Sequence, residues 1–229
     1  MADVAALRQG ADAGAQADSV RITEIFYSIQ GESRPAGCPT VFVRLTGCPL
    51  RCGYCDTAYA FHGGRRMSHA DILEQVENYA PQYVCVTGGE PLAQPACLRL
   101  LAELSDAGYD VSLETSGALD IAQVPPKVTV VMDVKTPGSG EMLRNRLDNL
   151  AHLKTEDQVK FVICDRADYD WSVAFCATHQ MTDRCSVLFS PSQDELPARE
   201  LAEWILADRL QVRFQVQLHK YLWGNEPGH

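Results

Sequence analysis

Short runs of apolar and β-branched residues alternate along this chain with longer segments in which apolar residues recur every three or four positions. The short runs predict β-strands, and the longer segments predict amphipathic helices. The predicted strands are Val20–Phe26, Thr40–Leu45, Tyr83–Val86, Asp110–Glu114, Val128–Val134, Gln158–Ile163, Ser186–Phe189 and Gln211–Gln217. The predicted helices are His69–Tyr79, Pro95–Ala107, Glu141–Leu150, Tyr169–His179 and Glu195–Ala207. Ser68 and Asp194 are expected to cap helix N-termini, and Gly108 is expected to end the second helix.

Strands that alternate with helices predict right-handed βαβ units and a mostly parallel sheet. The predicted helices are too few for a closed eightfold barrel, so the expected fold class is α/β with an incomplete, TIM-like barrel. In such sheets, functional groups gather where the strands end, in the loops that follow. The Ala-rich residues 1–19 are expected to form a disordered leader, and residues 20–229 a single domain.

The composition is that of an ordinary globular protein, with 46% hydrophobic and 22% charged residues. The net charge of −10 argues against direct nucleic-acid binding, because phosphate backbones attract Lys and Arg clusters. No apolar run is long enough to span a bilayer and no signal-peptide pattern is present, so no membrane association is expected. The nine cysteines are therefore expected to be the reduced thiols of a cytoplasmic protein.

Three of these cysteines lie close together, with three residues between Cys48 and Cys52 and two between Cys52 and Cys55. An iron–sulfur cluster normally takes four cysteine ligands. A set of three leaves one iron of a cubane open, as direct electron transfer to a bound small molecule requires. One alternative is a zinc site with His62 as the fourth ligand. Another is three structural thiols that are neighbours by chance.

A second unusual cluster, Gly88-Gly89-Glu90, follows the predicted strand Tyr83–Val86. The two glycines let the backbone pass close to a ligand and expose its N–H and C=O groups to it. Backbone carbonyls together with a carboxylate suit a free α-amino group. The alternative is an ordinary tight turn between a strand and a helix.

The three cysteines, with Tyr54 before the last of them and Gly88-Gly89-Glu90 downstream, resemble the radical S-adenosylmethionine (SAM) superfamily. Further motifs narrow the resemblance to the 7-carboxy-7-deazaguanine synthase family and extend it from about Ile22 to Trp223. These motifs are Phe26-Tyr27-Ser28-Ile29-Gln30-Gly31-Glu32, Phe42-Val43-Arg44, Cys55-Asp56-Thr57 and His219-Lys220-Tyr221-Leu222.

The resemblance implies a carbon–nitrogen lyase that converts 6-carboxy-5,6,7,8-tetrahydropterin to 7-carboxy-7-deazaguanine with loss of ammonia, on the route to queuosine in tRNA. It implies a [4Fe–4S] cluster and SAM, whose cleavage gives a 5′-deoxyadenosyl radical that carries the chemistry in place of a catalytic side chain. It also implies a magnesium ion, a flavodoxin-type electron donor and a homodimer.

The same resemblance assigns the cluster to Cys48, Cys52 and Cys55, and magnesium to Thr57, since one protein oxygen suits a cation that keeps several waters. Arg44 is the expected partner of the substrate carboxylate, because a guanidinium binds a carboxylate through two parallel bonds. The other expected substrate-binding residues are Ile29, Gln30, Gly31, Glu32, Thr87 and His219. The expected SAM-binding residues are Tyr54, Cys55, Asp56, Gly88, Gly89, Glu90, Glu114, Ser116, Asp133, Val134, Lys135, Ser190, Pro191, Ser192 and Gln193.

Several of these side chains also have structural explanations: Arg44 as a surface ion-pair residue, Thr57 as a cap and His219 as a packed core histidine. Two alternatives for the whole protein remain open. A small radical SAM activase that makes a glycyl radical on a partner protein would share the cysteines and the two glycines, but would not need the substrate-binding set. A zinc-stabilised binding module would need no catalysis at all.

Overall fold

A computed structural model describes residues 18–193, 195–224, 226 and 228. Most of the expected leader and the expected helix cap Asp194 lie outside the described residues. Ser19, placed in the leader by the sequence, is already the first residue of a strand.

The described part of the chain forms a nine-stranded sheet in the order β3-β1-β2-β4-β5-β6-β7-β8-β9. Strand β1 pairs antiparallel with β2 and β3, and every pairing from β2 through β4 to β9 is parallel. Because β3 and β9 are the two edges, the sheet is open, and the expected incomplete α/β barrel is confirmed. The strands are β1 Ser19–Ile29, β2 Pro39–Leu45, β3 Arg65–Ser68, β4 Tyr83–Gly88, β5 Asp110–Thr115, β6 Thr129–Asp133, β7 Gln158–Ile163, β8 Ser186–Pro191 and β9 Arg213–Phe214.

Helices connect four of the six pairs of parallel strands in the described residues; the exceptions are β5 to β6 and β6 to β7. The helices are α1 His69–Glu77, α2 Cys97–Asp106, α3 Arg166–His179, α4 Met181–Arg184, α5 Ala198–Ala207 and α6 Leu218–Trp223. Ser68 caps α1 by accepting a hydrogen bond from the Asp71 backbone N–H. Gly108 takes a φ of +96° directly after the C-cap of α2, a conformation that glycine adopts without a steric penalty.

The predicted helix Glu141–Leu150 is wrong: this segment forms two 3-10 turns, Met142–Arg144 and Leu147–His152. Its asparagines bond to distant backbone. Asn145 accepts from the Lys135 N–H and donates to the Lys135 carbonyl, both at 2.8 Å. Asn149 donates to the carbonyls of Gly117 and Leu119. These long-range bonds fix the segment against the ends of β5 and β6, and so override its helical periodicity.

Two further elements differ from the prediction. The short strand β3 was not predicted, and it pairs with the start of β1 over four residues. The predicted strand Gln211–Gln217 is reduced to the two residues of β9, and the chain then turns into α6. His219 therefore lies on a short helix just after the last strand.

The two faces of the sheet carry different residues. On β7, Val159, Phe161 and Ile163 are fully buried on the outer face, where they contribute to the apolar core that packs against α3 and α5. The alternate residues Lys160 and Val162 point to the inner face and line a cavity. Since side chains alternate along a strand, one face holds the fold together while the other is available for polar groups.

Across the described ranges, none of the helices has both the length and the apolar character that crossing a membrane requires.

Candidate functional site

A cavity of about 720 Å³ opens at the carboxyl ends of the parallel strands. It brings together most of the residues that the sequence singled out, from both ends and the middle of the chain. These are Ile29, Gln30, Glu32, Arg44, Cys48, Cys52, Tyr54, Cys55, Asp56, Thr57, Thr87, Gly88, Gly89, Glu114, Ser116, Asp133, Lys135, Ser190, Pro191, Ser192, Gln193 and His219. Gly31, Glu90 and Val134, which the sequence also singled out, do not line it.

The cysteine loop follows β2 and is joined to the glycine pair after β4 by backbone hydrogen bonds. The Gly89 N–H donates to the Leu45 carbonyl at 3.2 Å, and the Glu90 N–H donates to the Gly47 carbonyl at 2.8 Å. A Cβ atom on Gly89 would lie 2.2 Å from the Gly47 carbonyl oxygen and 2.8 Å from Cys48 Cβ. Glycine is therefore required at position 89, because any side chain there would prevent the cysteine loop from approaching this closely.

Glu90 is fully buried, and its carboxylate accepts hydrogen bonds from the described residues around it. The donors are the Leu92 N–H, the Thr115 hydroxyl, and the N–H and hydroxyl of Ser116, at 2.5–3.0 Å. These bonds tie the end of β4 to the end of β5. The observed contacts of Glu90 are thus internal, although its neighbours Gly88 and Gly89 face the cavity.

The three cysteine thiols are half-buried and line the same cavity. Burial raises the pKa of each thiol above its ordinary value, while the positive charge of Lys135 lowers all three. The Lys135 ammonium lies 3.0 Å from Asp133 and 5.6 Å from the centre of the Tyr54 ring. Its positive charge favours the thiolate forms that metal binding needs.

The residues present fit an iron–sulfur cluster with one open iron, because the loop offers three soft thiol ligands beside a buried cation. Within the described ranges, no group of three or more His, Cys, Asp and Glu side chains converges closely enough to hold a single metal ion. His62, the fourth ligand in the zinc alternative, is exposed and does not line the cavity.

Arg44 is held in place by groups that the sequence analysis missed. Its Nε donates to Glu24 at 2.7 Å, and the Tyr59 hydroxyl donates to the same Glu24 oxygen at 2.7 Å. The guanidinium carbon lies 5.6 Å from the Phe26 ring centre and 6.0 Å from that of Tyr59. In the part of the chain that the structure describes, Arg44 forms its ion pair through Nε alone, so its two terminal amino groups remain available to a ligand in the cavity. Glu24 lies opposite Arg44 in the pairing of β1 with β2, a register that the sequence does not reveal.

Polar atoms without partners mark the floor of the cavity. Gln30 Nε2, Glu32 Oε1, Asp133 Oδ1 and the Tyr54 hydroxyl are buried and have no hydrogen-bond partner among the described residues. Buried polar groups are almost always paired in folded proteins, so several unpaired ones on residues that line one cavity indicate a site for a polar ligand. Thr87 is paired, since its hydroxyl donates to Glu114 at 2.8 Å.

Helix α6 brings His219 and Lys220 to the mouth of the cavity. The Leu218 N–H donates to the Gly31 carbonyl at 3.0 Å, and a Cβ on Gly31 would lie 2.0 Å from His219 Nδ1. Gly31 thus makes room for the imidazole. Burial lowers the pKa of His219 below its ordinary value near 6.5, although Glu32 and Asp56 oppose this shift.

Lys220 forms an ion pair across the mouth of the cavity. Its ammonium lies 2.9 Å from Asp56, which also accepts a hydrogen bond from the Thr57 hydroxyl at 2.8 Å. Burial acts to raise the pKa of Asp56, but the charge and hydrogen bond of Lys220, the Thr57 hydrogen bond and the Lys160 charge together outweigh it and hold the pKa well below its ordinary value. The cysteine loop and the carboxyl-terminal helix are therefore joined by an ion pair beside Cys55.

A buried lysine at the centre of the cavity was also missed. Lys160 lies on the inner face of β7, with its ammonium 2.7 Å from Glu32 and 3.8 Å from Asp133. Burial lowers its pKa, but the charges of Glu32, Asp133 and Glu114 together reverse this effect and raise the pKa above the ordinary value. One signal in the sequence marks it: Lys160 interrupts the otherwise apolar run Val159–Ile163. Lysine is almost never buried without a partner.

The chain matches known proteins over nearly its whole length. A sequence model of the Radical SAM superfamily matches residues 42–136. The chain is 45% identical over 208 residues to the 7-carboxy-7-deazaguanine synthase of Chlorobaculum tepidum, covering 90% of this chain and 94% of that protein. It is 43% identical over 222 residues to the enzyme of that name from Koribacter versatilis, covering 90% of this chain and 98% of that protein.

Solved structures share the fold. QueE from Escherichia coli superposes with a TM-score of 0.74 at 23% identity, covering 91% of this chain and 98% of that chain. Streptococcus suis SuiB bound to S-adenosylmethionine superposes with a TM-score of 0.52 at 15% identity, covering 75% of this chain and 45% of that chain. The structural matches agree with the open barrel, and the sequence matches identify the relatives: the chain belongs to the 7-carboxy-7-deazaguanine synthase family of the radical SAM superfamily.

Proposed function

We propose that this protein converts 6-carboxy-5,6,7,8-tetrahydropterin to 7-carboxy-7-deazaguanine and ammonia, as a lyase of queuosine and related deazapurine biosynthesis. The observation that carries the proposal is a single cavity lined by the three-cysteine loop, by Arg44, and by Gln30 and Glu32, each of which has a buried polar atom without a partner among the described residues. The reaction is balanced without an oxidant or reductant, because the product and one ammonia together contain all the atoms of the substrate.

Cys48, Cys52 and Cys55 would hold a [4Fe–4S] cluster, with the carbonyls of the Gly88-Gly89 segment beside it. When bound, the cluster supplies the electron that cleaves SAM to a 5′-deoxyadenosyl radical. The residues at the ends of β5, β6 and β8 would bind the ribose and adenine of SAM, using hydroxyl, carboxylate and backbone groups. They are Glu114, Ser116, Asp133, Val134, Lys135, Ser190, Pro191, Ser192 and Gln193. Tyr54 and Asp56 flank the same space.

The substrate would lie between Arg44 and the floor of the cavity. The free amino groups of Arg44 suit its carboxylate, and the Gln30 amide and Glu32 carboxylate suit the donor and acceptor edge of its aminopyrimidinone ring. Thr87 and Ile29 would complete the floor, and His219, seated on Gly31, would cover it in the neutral form that burial favours. Thr57 would supply one oxygen to a magnesium ion, and the substrate and water would supply the others.

Four further features belong to this proposal. Residues 20–229 act as one domain, the protein works in the cytoplasm as a homodimer, and a flavodoxin-type protein donates the electron. Direct contact with nucleic acid is not expected, since the charge of −10 opposes it and the substrate is a free pterin.

Anaerobic reconstitution followed by a turnover assay tests the proposal. The reduced protein is mixed with SAM, magnesium and 6-carboxytetrahydropterin, and product mass, ammonia and 5′-deoxyadenosine are measured. We expect 7-carboxy-7-deazaguanine and ammonia in equal amounts. A protein that binds zinc but no iron would support the binding-module alternative. A brown, iron-loaded protein that ignores the pterin but activates a glycyl-radical enzyme would support the activase alternative.

A further inference from the structure

Lys160 lies between the two halves of the cavity. On one side, its ammonium contacts Glu32, which belongs to the proposed substrate subsite, at 2.7 Å. On the other side it lies 3.8 Å from Asp133, which belongs to the proposed SAM subsite and is paired with Lys160 in the register of β6 with β7. Its side chain is 13% exposed, so these contacts are made in a largely dry environment.

The two carboxylates share a second property. Each uses one oxygen for a lysine and keeps the other oxygen, Glu32 Oε1 or Asp133 Oδ1, buried and unpaired. Within the described residues, Lys160 is the cation in ion-pair contact with Glu32. A buried carboxylate that loses its cation takes up a proton or turns away, because an isolated charge is costly in a dry site. Either change would remove an unpaired acceptor from a residue that lines the cavity.

A lysine suits this position better than an arginine. The compact ammonium carries three donors that can reach carboxylates in different directions, whereas the bulkier guanidinium holds its five donors in one fixed plane. Lys135 contacts Asp133 Oδ2 at 3.0 Å, and Lys160 lies farther from that same oxygen, at 3.8 Å, than from Glu32, at 2.7 Å.

We propose that Lys160 is a positioning residue that holds Glu32 through one oxygen and leaves the other oxygen unpaired for the pterin, and that it couples this subsite to the SAM subsite through Asp133. The inference rests on the proposed function. In this arrangement Glu32 of the substrate subsite and Asp133 of the SAM subsite share the Lys160 ammonium. A change in the substrate subsite therefore changes the position of SAM.

The test compares Lys160→Met with Lys154→Met. Lys154 forms an ion pair with Asp157 at 2.9 Å, and Asp157 is fully buried, so this control also removes the lysine partner of a buried carboxylate but lies away from the cavity. Binding of the unreactive analogue 6-carboxypterin is measured by isothermal titration calorimetry. Turnover gives KM for the substrate and the ratio of 5′-deoxyadenosine to product.

We expect Lys160→Met to weaken analogue binding and raise KM by about 10- to 100-fold, the effect of losing a hydrogen bond to a charged group. We also expect it to form more 5′-deoxyadenosine per product, with unchanged iron content. Lys154→Met should leave KM and the ratio of 5′-deoxyadenosine to product unchanged, even where both variants unfold at a lower urea concentration than the parent. Lys160→Arg, which keeps the charge, should bind the analogue more tightly than Lys160→Met, and it serves as the measured variant if Lys160→Met fails to fold.

A double-mutant cycle with Glu32→Gln separates positioning from a merely structural role. If Lys160 acts through Glu32, adding Lys160→Met to Glu32→Gln should weaken analogue binding by less than about threefold. Full additivity, or a folded Lys160→Met with the parent's KM and ratio, would overturn the inference while leaving the proposed function intact. A parent protein that fails to turn over the pterin would instead overturn the proposed function.

Discussion

The two faces of the sheet differ most clearly on β7, where Phe161 and Lys160 are neighbours in the chain. Phe161 points outward and packs edge-on against Phe175 and Phe189, with ring centres 5.6 and 5.5 Å apart. Lys160 points inward to Glu32 and Asp133, carboxylates that each keep one oxygen unpaired. Outer-face residues gain stability from packing, whereas inner-face residues hold polar groups in positions that only a ligand completes. Substitutions on the two faces should therefore change different measurements.

The cysteines give the sharpest form of this comparison. Cys52→Ala removes a cluster ligand on the cavity side, so we expect loss of iron and of all activity, with little change in the stability of the iron-free protein. Cys97→Ala, in the fully buried core, should keep both iron and activity while lowering the free energy of unfolding by about 1–3 kcal/mol. Iron content and urea unfolding measure the two effects. Retained iron in Cys52→Ala would refute the ligand assignment.

Phe161→Ala tests the outer face alone. Removing a fully buried ring that contacts three other aromatic side chains should lower the free energy of unfolding by about 3–5 kcal/mol. At a temperature where the variant stays folded, its KM for the pterin should equal that of the parent. A changed KM would mean that packing on the outer face also shapes the cavity.

Arg44→Lys tests the inner face. A lysine ammonium cannot keep the bond to Glu24 and also present two parallel donors to a carboxylate. We expect the KM for the pterin to rise by about 10- to 100-fold, with iron content and urea midpoint close to those of the parent. If the variant binds substrate as well as the parent does, Arg44 is not the carboxylate partner.

The smallest expected effect concerns pH and His219. Because its pKa is lowered in the folded protein, the unfolded chain takes up the proton first as the pH falls below about 6.5, and stability is lost until the pH reaches the folded pKa. His219→Gln should therefore lose less stability than the parent between about pH 7.5 and 5.5. Urea unfolding at a series of pH values measures this difference, and parallel curves would contradict the assigned direction of the shift.

How well each feature could be predicted from the sequence depended on how far apart in the chain the interacting residues lie. The strands and most helices were predictable, since apolar periodicity is a local property and the outer face enforces it through packing. Glu141–Leu150 failed because Asn145 and Asn149 bond to backbone far away in the chain. Glu24 could not be identified as the partner of Arg44 without the register of β1 with β2. The short strand β3 was missed because its first two residues, Arg65 and Arg66, are both charged, so the strand shows no apolar alternation.

The sequence by itself determined the α/β class, the cysteine and glycine motifs, and the family that the comparisons then established. Those features depend on local patterns and on short motifs with fixed spacing. Only the tertiary structure decided which charges meet: Lys160 with Glu32, Lys220 with Asp56 and Arg44 with Glu24. Each pair joins residues that are distant in the chain but brought together when the strand ends converge on one cavity. The energy of a buried ion pair depends on that convergence and on the exclusion of water, neither of which is written in the order of residues.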